Sequence, residues 1–354
     1  PRRRRSNRLQ VDSLQDNPYQ SVAGTDLPRR AVAGHPGGRE RPKQSWLSRK
    51  LDNEITLGYV LMAPALALIL VFIAYPFGLG TWMSLTDKVV GQAGEFIGLG
   101  NYDKLFQSEI FWRAAWNTFF FTTVATVLKA ALGMWLAVLL NRKFRFARIT
   151  RAGVLLPFII PTVLSTLAWL WMLDATFSVF NWSLRWMWQL EISLFGLVLK
   201  ENWGFFRGPL WLGDPAWAMF SVIMVNVWRG LPFFAISFLA GLQTIPPELY
   251  EAAEIDGASG WKKFWNVTLP LIKPVAIVVV VFSIVVTFAD FQLVYILTRG
   301  GPTNSTHLFA TLAYQLAMGS GNLGQGAAVS LFMLPVLAVV IIIQLWYLKR
   351  QGVR

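Results

Sequence analysis

The sequence contains no cysteine, only two histidines and few charges: 14% of its 354 residues are Asp, Glu, Lys or Arg. Each shortage removes a class of function. Without cysteine there is no disulfide framework, no thiolate metal site and no cysteine nucleophile. His35 and His307 lie far apart in polar segments, which is no pattern for a histidine metal centre or catalytic pair. A soluble domain carries roughly 25% charged residues, so this chain lacks the polar surface that water requires. No GxxxxGK[ST] phosphate loop occurs; Gly257-Ala-Ser-Gly-Trp-Lys262 has the wrong spacing and no following Ser or Thr, and reads as a turn. Its apolar stretches hold neither paired acids nor an activated nucleophile, so no catalytic residue and no metal ligand is assigned.

What is abundant is apolar: 55% of the residues are hydrophobic. A helix needs about 20 mostly apolar residues to cross a hydrocarbon core. Six stretches qualify, at about 57–85, 116–140, 153–173, 217–242, 275–297 and 327–348. The first contains Pro64 and Pro76, either of which allows a kink. The expected fold class is therefore an all-α membrane protein with six transmembrane helices. Residues 1–54 hold twelve basic and six acidic side chains with no sustained period, the signature of a basic disordered tail. That tail reads as a positive-inside segment able to touch anionic lipid, so the net charge of +13 implies no nucleic-acid partner. The loop 141–151 carries Arg142, Lys143, Arg145, Arg148 and Arg151 without an acid, and the C-terminal end carries Lys349, Arg350 and Arg354. Both belong in the cytoplasm, and an even span count puts the N-terminal tail there too, giving an N-in/C-in topology for the 55–350 domain.

The longest loop on the opposite face, 174–216, holds Trp182, Trp186, Trp188, Trp203 and Trp211. It reads as an interfacial aromatic belt with a short helix lying along the membrane, or as rings that dock a partner or stack on a ligand. Within the spans, Lys129, Arg229 and Asp290 are isolated ionisable residues. Charges at that depth face the bundle interior or a water-filled cavity. Lys129 reads as snorkelling or pairing with a neighbouring subunit. Asp290, within Phe288-Ala-Asp-Phe-Gln292, combines an acid, an amide and aromatic rings, a set suited to sugar hydroxyls and pyranose faces. Asn226, Arg229, Asp290 and Gln292 are the candidate lining of a translocation path, against the alternative of plain interhelical hydrogen bonding.

The cytoplasmic segment 244–274 differs from the basic loops around it. Pro247 suits a first helical position, with Glu248 and Glu251 at the positive end of the helix. Ala252 and Ala253 keep that helix narrow, and Gly257 suits a left-handed cap. Ser259 can cap a second helix with Trp261, Phe264 and Trp265 on one face, ended by Pro270. Two short helices and a turn are expected, serving either as a hairpin that shields the bundle or as a docking element.

Glu251-Ala252-Ala253, Asp256-Gly257-Ala258, Thr268-Leu269-Pro270-Leu271 and Lys273-Pro274 together resemble the EAA loop of binding-protein-dependent ABC importer permeases. Phe96-Ile-Gly-Leu-Gly-Asn-Tyr102, Trp228-Arg-Gly-Leu-Pro-Phe233 and Leu297-Thr-Arg-Gly-Gly-Pro302 extend the likeness to the sugar-importer branch. It covers most of the chain from about Leu57; residues 1–54 lie outside it, and 176–210 are less typical. The resemblance implies a type I ABC importer permease fold in a bacterial inner membrane. It implies that Glu251, Ala252, Ala253, Asp256, Gly257, Ala258, Leu269 and Pro270 couple to an ATPase. The partners implied are a second, homologous permease, two ATP-binding subunits that use ATP and Mg, and a solute-binding protein. No cofactor is expected in this chain itself. The cargo implied is a di- or oligosaccharide or related polyol; the alternatives are glycerol phosphate or a stand-alone secondary carrier.

Overall fold

The computed structural model describes residues 54–142, 145–189, 192–194, 197–200 and 208–350. The expected basic tail, but for Glu54, lies outside the described residues, as do Lys143, Trp203 and Arg354. The chain divides into a unit ending at Leu66, helical from Glu54 onward, and a body from Ala67 to Arg354.

Helices dominate because lipid offers the backbone no hydrogen-bond partners, so a spanning segment must satisfy its own N–H and C=O groups. In chain order they are α1 (Ile55–Ser84), α2 (Gly100–Phe106), α3 (Glu109–Leu140), α4 (Ala147–Ile159), α5 (Thr162–Met172) and α6 (Val179–Gln189). After a short antiparallel ribbon, β1 (Ile192–Leu194) with β2 (Leu197–Lys200), come α7 (Pro215–Leu242), α8 (Pro247–Ile255) and α9 (Gly260–Phe288). The last are α10 (Gln292–Leu297), α11 (Phe309–Tyr314) and α12 (Leu323–Arg350). By length and composition α1, α3, α7, α9 and α12 can each cross a membrane, and α4 with α5 makes a sixth candidate, bent by 89°.

That bend corrects the expectation of one straight span over 153–173. Ile160 precedes Pro161, and the proline ring forces the residue before it out of the helical region; Ile160 sits at φ −64°, ψ 130°. The fifth expected span, 275–297, is also two elements. Its helix ends at Phe288, and Asp290 Oδ1 accepts the Leu293 N–H at 3.4 Å, starting α10 afresh. A third difference lies at Pro270, which does not end the second helix of the 244–274 segment. The turn Phe264–Thr268 is π-wound, and the helix runs on through Pro270 and Pro274. The widened turn absorbs the carbonyl that a proline cannot serve. The same device, over Leu70–Ala74, precedes Pro76 in α1.

The parallel pair α3 and α7, in register from Phe121 beside Val222 to Leu140 beside Leu242, forms the centre of the body, with α4 and α9 against it and α12 packed on α11 and on the Tyr75–Ser84 part of α1. Three apolar clusters fill it, around Phe121 and Val222, around Phe111 and Phe309, and around Phe234 and Ile272. Because lipid is as apolar as these side chains, polar contacts help fix which helices meet. Asn117 of α3 donates to the Ser305 and His307 carbonyls at 2.7 and 3.1 Å, and Thr118 accepts the Phe309 N–H at 3.0 Å. In the Trp-rich 174–216 loop, α6 is the short helix expected; Trp182 and Trp186 are exposed on it, while Trp211 is buried and donates to Asn181 at 2.9 Å.

Candidate functional site

The segment between α7 and α9 has the two-helix form its residues dictate. Pro247 opens α8, with Glu248 in the first turn. Gly257 takes φ +72°, a conformation that costs a side-chain-bearing residue, and the chain reverses there. Its N–H reaches the Glu254 carbonyl at 3.0 Å and the Ala258 N–H reaches that of Ala253 at 2.9 Å, the paired bonds of a Schellman cap. Ser259 Oγ then accepts the Lys262 N–H at 3.4 Å and caps α9. Two contacts fasten the hairpin: Lys263 to Glu254 at 2.5 Å, and Tyr250 OH with Thr268 Oγ1 at 3.0 Å.

What the hairpin leaves outside is as informative. Glu251, Ala252, Asp256, Gly257 and Pro270 are exposed, and Ala253, Ala258 and Leu269 are half-buried. Among the described residues neither Glu251 nor Asp256 has an ion-pair partner. Ile255 is 88% exposed and Trp261 70% exposed, with Trp261 packed edge-on to Trp265 at 5.6 Å. Apolar side chains beside unpaired acids at an exposed tip are poorly served by water and suit a protein surface.

A second constellation lies far along α9. Lys129 of α3 is buried, and its Nζ donates to Asn226 Oδ1 at 2.9 Å and Thr287 Oγ1 at 2.8 Å. Asn226 Nδ2 in turn donates to Asp290 Oδ2 at 3.0 Å. Arg229, one turn along α7, places NH2 3.4 Å from the same oxygen and donates through NH1 to Thr162 Oγ1. Gly230 makes room for the lysine: a Cβ there would stand 2.5 Å from Lys129 Cδ. All of these groups but Asp290 line a cavity of about 320 Å³, whose walls include Lys129, Asn226, Arg229, Ser283 and Thr287.

Sequence-based placement of these residues is thus corrected in two ways. Lys129, Arg229 and Asp290 are not isolated; Asn226 joins them into one network. Gln292, expected beside them, is exposed on α10 and hydrogen-bonds to none of them. Lys129, read as snorkelling or pairing with a neighbouring subunit, pairs within the chain instead, and Thr162 and Thr287 were members missed. Each is a polar residue within an otherwise apolar helix, which was the available signal; partnership across 97 and 158 positions had none. Thr162 opens α5 just after one helix break, and Asp290 sits in the other. Both interruptions therefore meet at the polar cavity, where irregular backbone is tolerated at membrane depth.

Comparison with known proteins places this geometry. A trehalose/maltose transport system permease protein, MalF, of Thermococcus litoralis is 37% identical over 288 residues, covering 80% of this chain and 91% of that protein. A sulfoquinovosyl glycerol transport system permease protein, SmoG, of Agrobacterium fabrum is 32% identical over 297 residues, covering 83% and 91%. In fold, the chain matches one from the crystal structure of a bacterial ABC transporter involved in import of the acidic polysaccharide alginate, with a TM-score of 0.69 at 24% identity over 87% of this chain and 99% of that one. The family model for binding-protein-dependent transport system inner membrane components matches residues 129–353, from the buried lysine through the two-helix hairpin to the last helix, and the chain belongs to that family.

Proposed function

We propose that this chain is the membrane-spanning permease subunit of an ATP-driven importer that moves a sugar or related polyol across the bacterial inner membrane by alternating access. The observation that carries the reading is the continuity of α9. It begins at the exposed hairpin and ends beside the polar cavity, a single helix of 29 residues. At 1.5 Å per residue such a helix is about 43 Å long. A displacement imposed on the hairpin is delivered through it to Thr287 and to the break at Asp290.

In this reading Glu251, Ala252, Ala253, Asp256, Gly257, Ala258, Leu269 and Pro270 form the surface that seats on an ATP-binding subunit. Glu251 and Asp256 supply charge, the alanines allow close approach, and Gly257 sets the angle between the helices. ATP and Mg belong to that partner, present in two copies; a second, homologous permease completes the pore, and a solute-binding protein delivers the cargo from the other side. ATP binding biases the pair between inward- and outward-facing states through its different affinity for each. Asn226, Arg229 and Asp290 border the path, and their network fixes the two broken helices in one of those states. The names of the relatives, which include disaccharide and sugar-derivative permeases, support the cargo class.

The test is co-purification followed by reconstitution. The chain should be recovered with an ATP-binding subunit and a second permease, and vesicles holding all of them should take up sugar only with ATP and the binding protein. Recovery as a lone, transport-active species would overturn the proposal.

A further inference from the structure

The cavity beside Asn226 has a charge imbalance. Its walls carry two cations, Lys129 and Arg229, and no carboxylate. Asp290, the acid of the network, is not on those walls; its Oδ2 is occupied by Asn226 and Arg229, and its Oδ1 by the Leu293 N–H. Lys129 Nζ, with three donors, meets only neutral acceptors, the Asn226 amide oxygen and the Thr287 hydroxyl. The Phe234 ring centroid lies 5.9 Å from it. Two positive charges against one negative, at membrane depth, is an arrangement a neutral ligand leaves uncompensated. A further wall residue, Ser283, holds a buried Oγ with no hydrogen-bond partner among the described residues. Polar groups so placed are costly unless something binds them.

Resting on the importer reading above, we infer that this cavity receives a solute bearing an anionic group — a carboxylate, sulfonate or phosphate — on a hydroxylated body. The anion lies against Lys129 and Arg229, and a hydroxyl pairs with Ser283. The remaining wall is aromatic, Phe158, Phe233 and Phe282, which suits the apolar face of a sugar ring. Its volume of about 320 Å³ lies at the small end of ligand sites, enough for one or two sugar units. Lys129 and Arg229 are then specificity-determining: they distinguish an acidic sugar from its neutral counterpart, because a desolvated cation gains far more from an anion than from a hydroxyl.

The experiment is equilibrium dialysis of the whole complex in nanodiscs, without the solute-binding protein, against labelled glucose, glucuronate and glucose 6-phosphate. Glucuronate and glucose 6-phosphate should each bind at least about tenfold more tightly than glucose. Lys129→Gln and Arg229→Gln should each reduce that preference about tenfold, read as the ratio of anion affinity to glucose affinity within the same variant. Preference for only one of the two anions assigns the headgroup and still supports the inference. Equal binding of all three by the unmodified complex overturns it, as does an anion preference that survives both substitutions. Circular dichroism and gel filtration establish that each variant is folded; should Lys129→Gln fail, Arg229→Gln carries the comparison with the same two outcomes. Failure of the importer reading is seen separately, as absence of a co-purifying ATP-binding subunit, and leaves the dialysis result readable.

Discussion

The hairpin and the cavity, at opposite ends of α9, are built on opposite principles. The hairpin is local: its caps and contacts join residues within about twenty positions of one another, and its functional side chains face outward. The cavity is assembled across the chain from α3, α4, α5, α7 and α9, with Asp290 of the break before α10 tied to it through Asn226 and Arg229. A local structure held by turn chemistry can be altered without unfolding the bundle. A network held by buried charge is altered only at a larger cost to the bundle's stability, since each member keeps the others from being desolvated without partners. One helix joining the two lets a tolerant surface act on an intolerant interior.

The sharpest way to break that contrast is at Asp290. Asp290→Ala removes the anion shared by Arg229 and Asn226 and the acceptor that starts α10. Removing one member of a buried pair costs about 3–5 kcal/mol, so a loss near the lower figure is expected in thermal or chemical unfolding of the complex. Adding Lys129→Met should recover part of that loss, because it removes the buried charge left unbalanced. If the double variant is no more stable than the single, the network is not electrostatically coupled and the comparison loses its interior half.

Gly257→Val comes next. A β-branched residue at φ +72° costs about 1–2 kcal/mol, and nothing within 4 Å obstructs the side chain, so the strain is in the backbone alone. The bundle should stay folded while α8 and α9 lose their fixed angle. ATP-driven uptake should fall at least about tenfold, by the amount this strain biases the seated geometry, with the unfolding midpoint nearly unchanged. Equal loss of both would mean the hairpin is not separable from the bundle.

The same contrast explains what could be read from the sequence. The hairpin was legible because Pro247, Gly257 and Ser259 act on their immediate neighbours. The spans were legible as apolar runs. Their interruptions were less so, although Pro161 and Asp290 are the residues that produce them. A run of apolar residues conceals a break that costs only one or two hydrogen bonds and is stabilised by distant partners. The network itself was not legible, because the meeting of Lys129 with Asn226 and Thr287 depends on helix packing, which a single sequence does not encode locally. Gln292 shows the opposite error: it lies two positions from Asp290 in sequence, yet the new helix begun after Asp290 turns it outward.

Smaller effects sharpen the hairpin's half. Tyr250→Phe deletes one hydrogen bond, to Thr268, which is itself buried at the base of the hairpin. The loss should be about 1 kcal/mol, seen as faster hydrogen exchange across residues 250–268 and not in α3 or α7. Exchange rising in α7 as well would show that the hairpin and bundle open together.

The smallest expected effect is at the Glu254–Lys263 pair, and it tests whether the hairpin depends on charge or on turn geometry. Glu254 is 63% exposed at its side chain and Lys263 21%. A pair this open is screened by water and salt and contributes roughly 0–1 kcal/mol. Glu254→Gln should therefore change local exchange protection slightly at low salt and not at all near 1 M salt, where the screening length shrinks to about 3 Å. Uptake should be unaffected, because Gly257 and the Schellman bonds, which hold the turn, do not involve the Glu254 side chain. A large, salt-sensitive loss of uptake would instead make this pair the element that sets the angle between α8 and α9, and would transfer to it the role assigned here to Gly257.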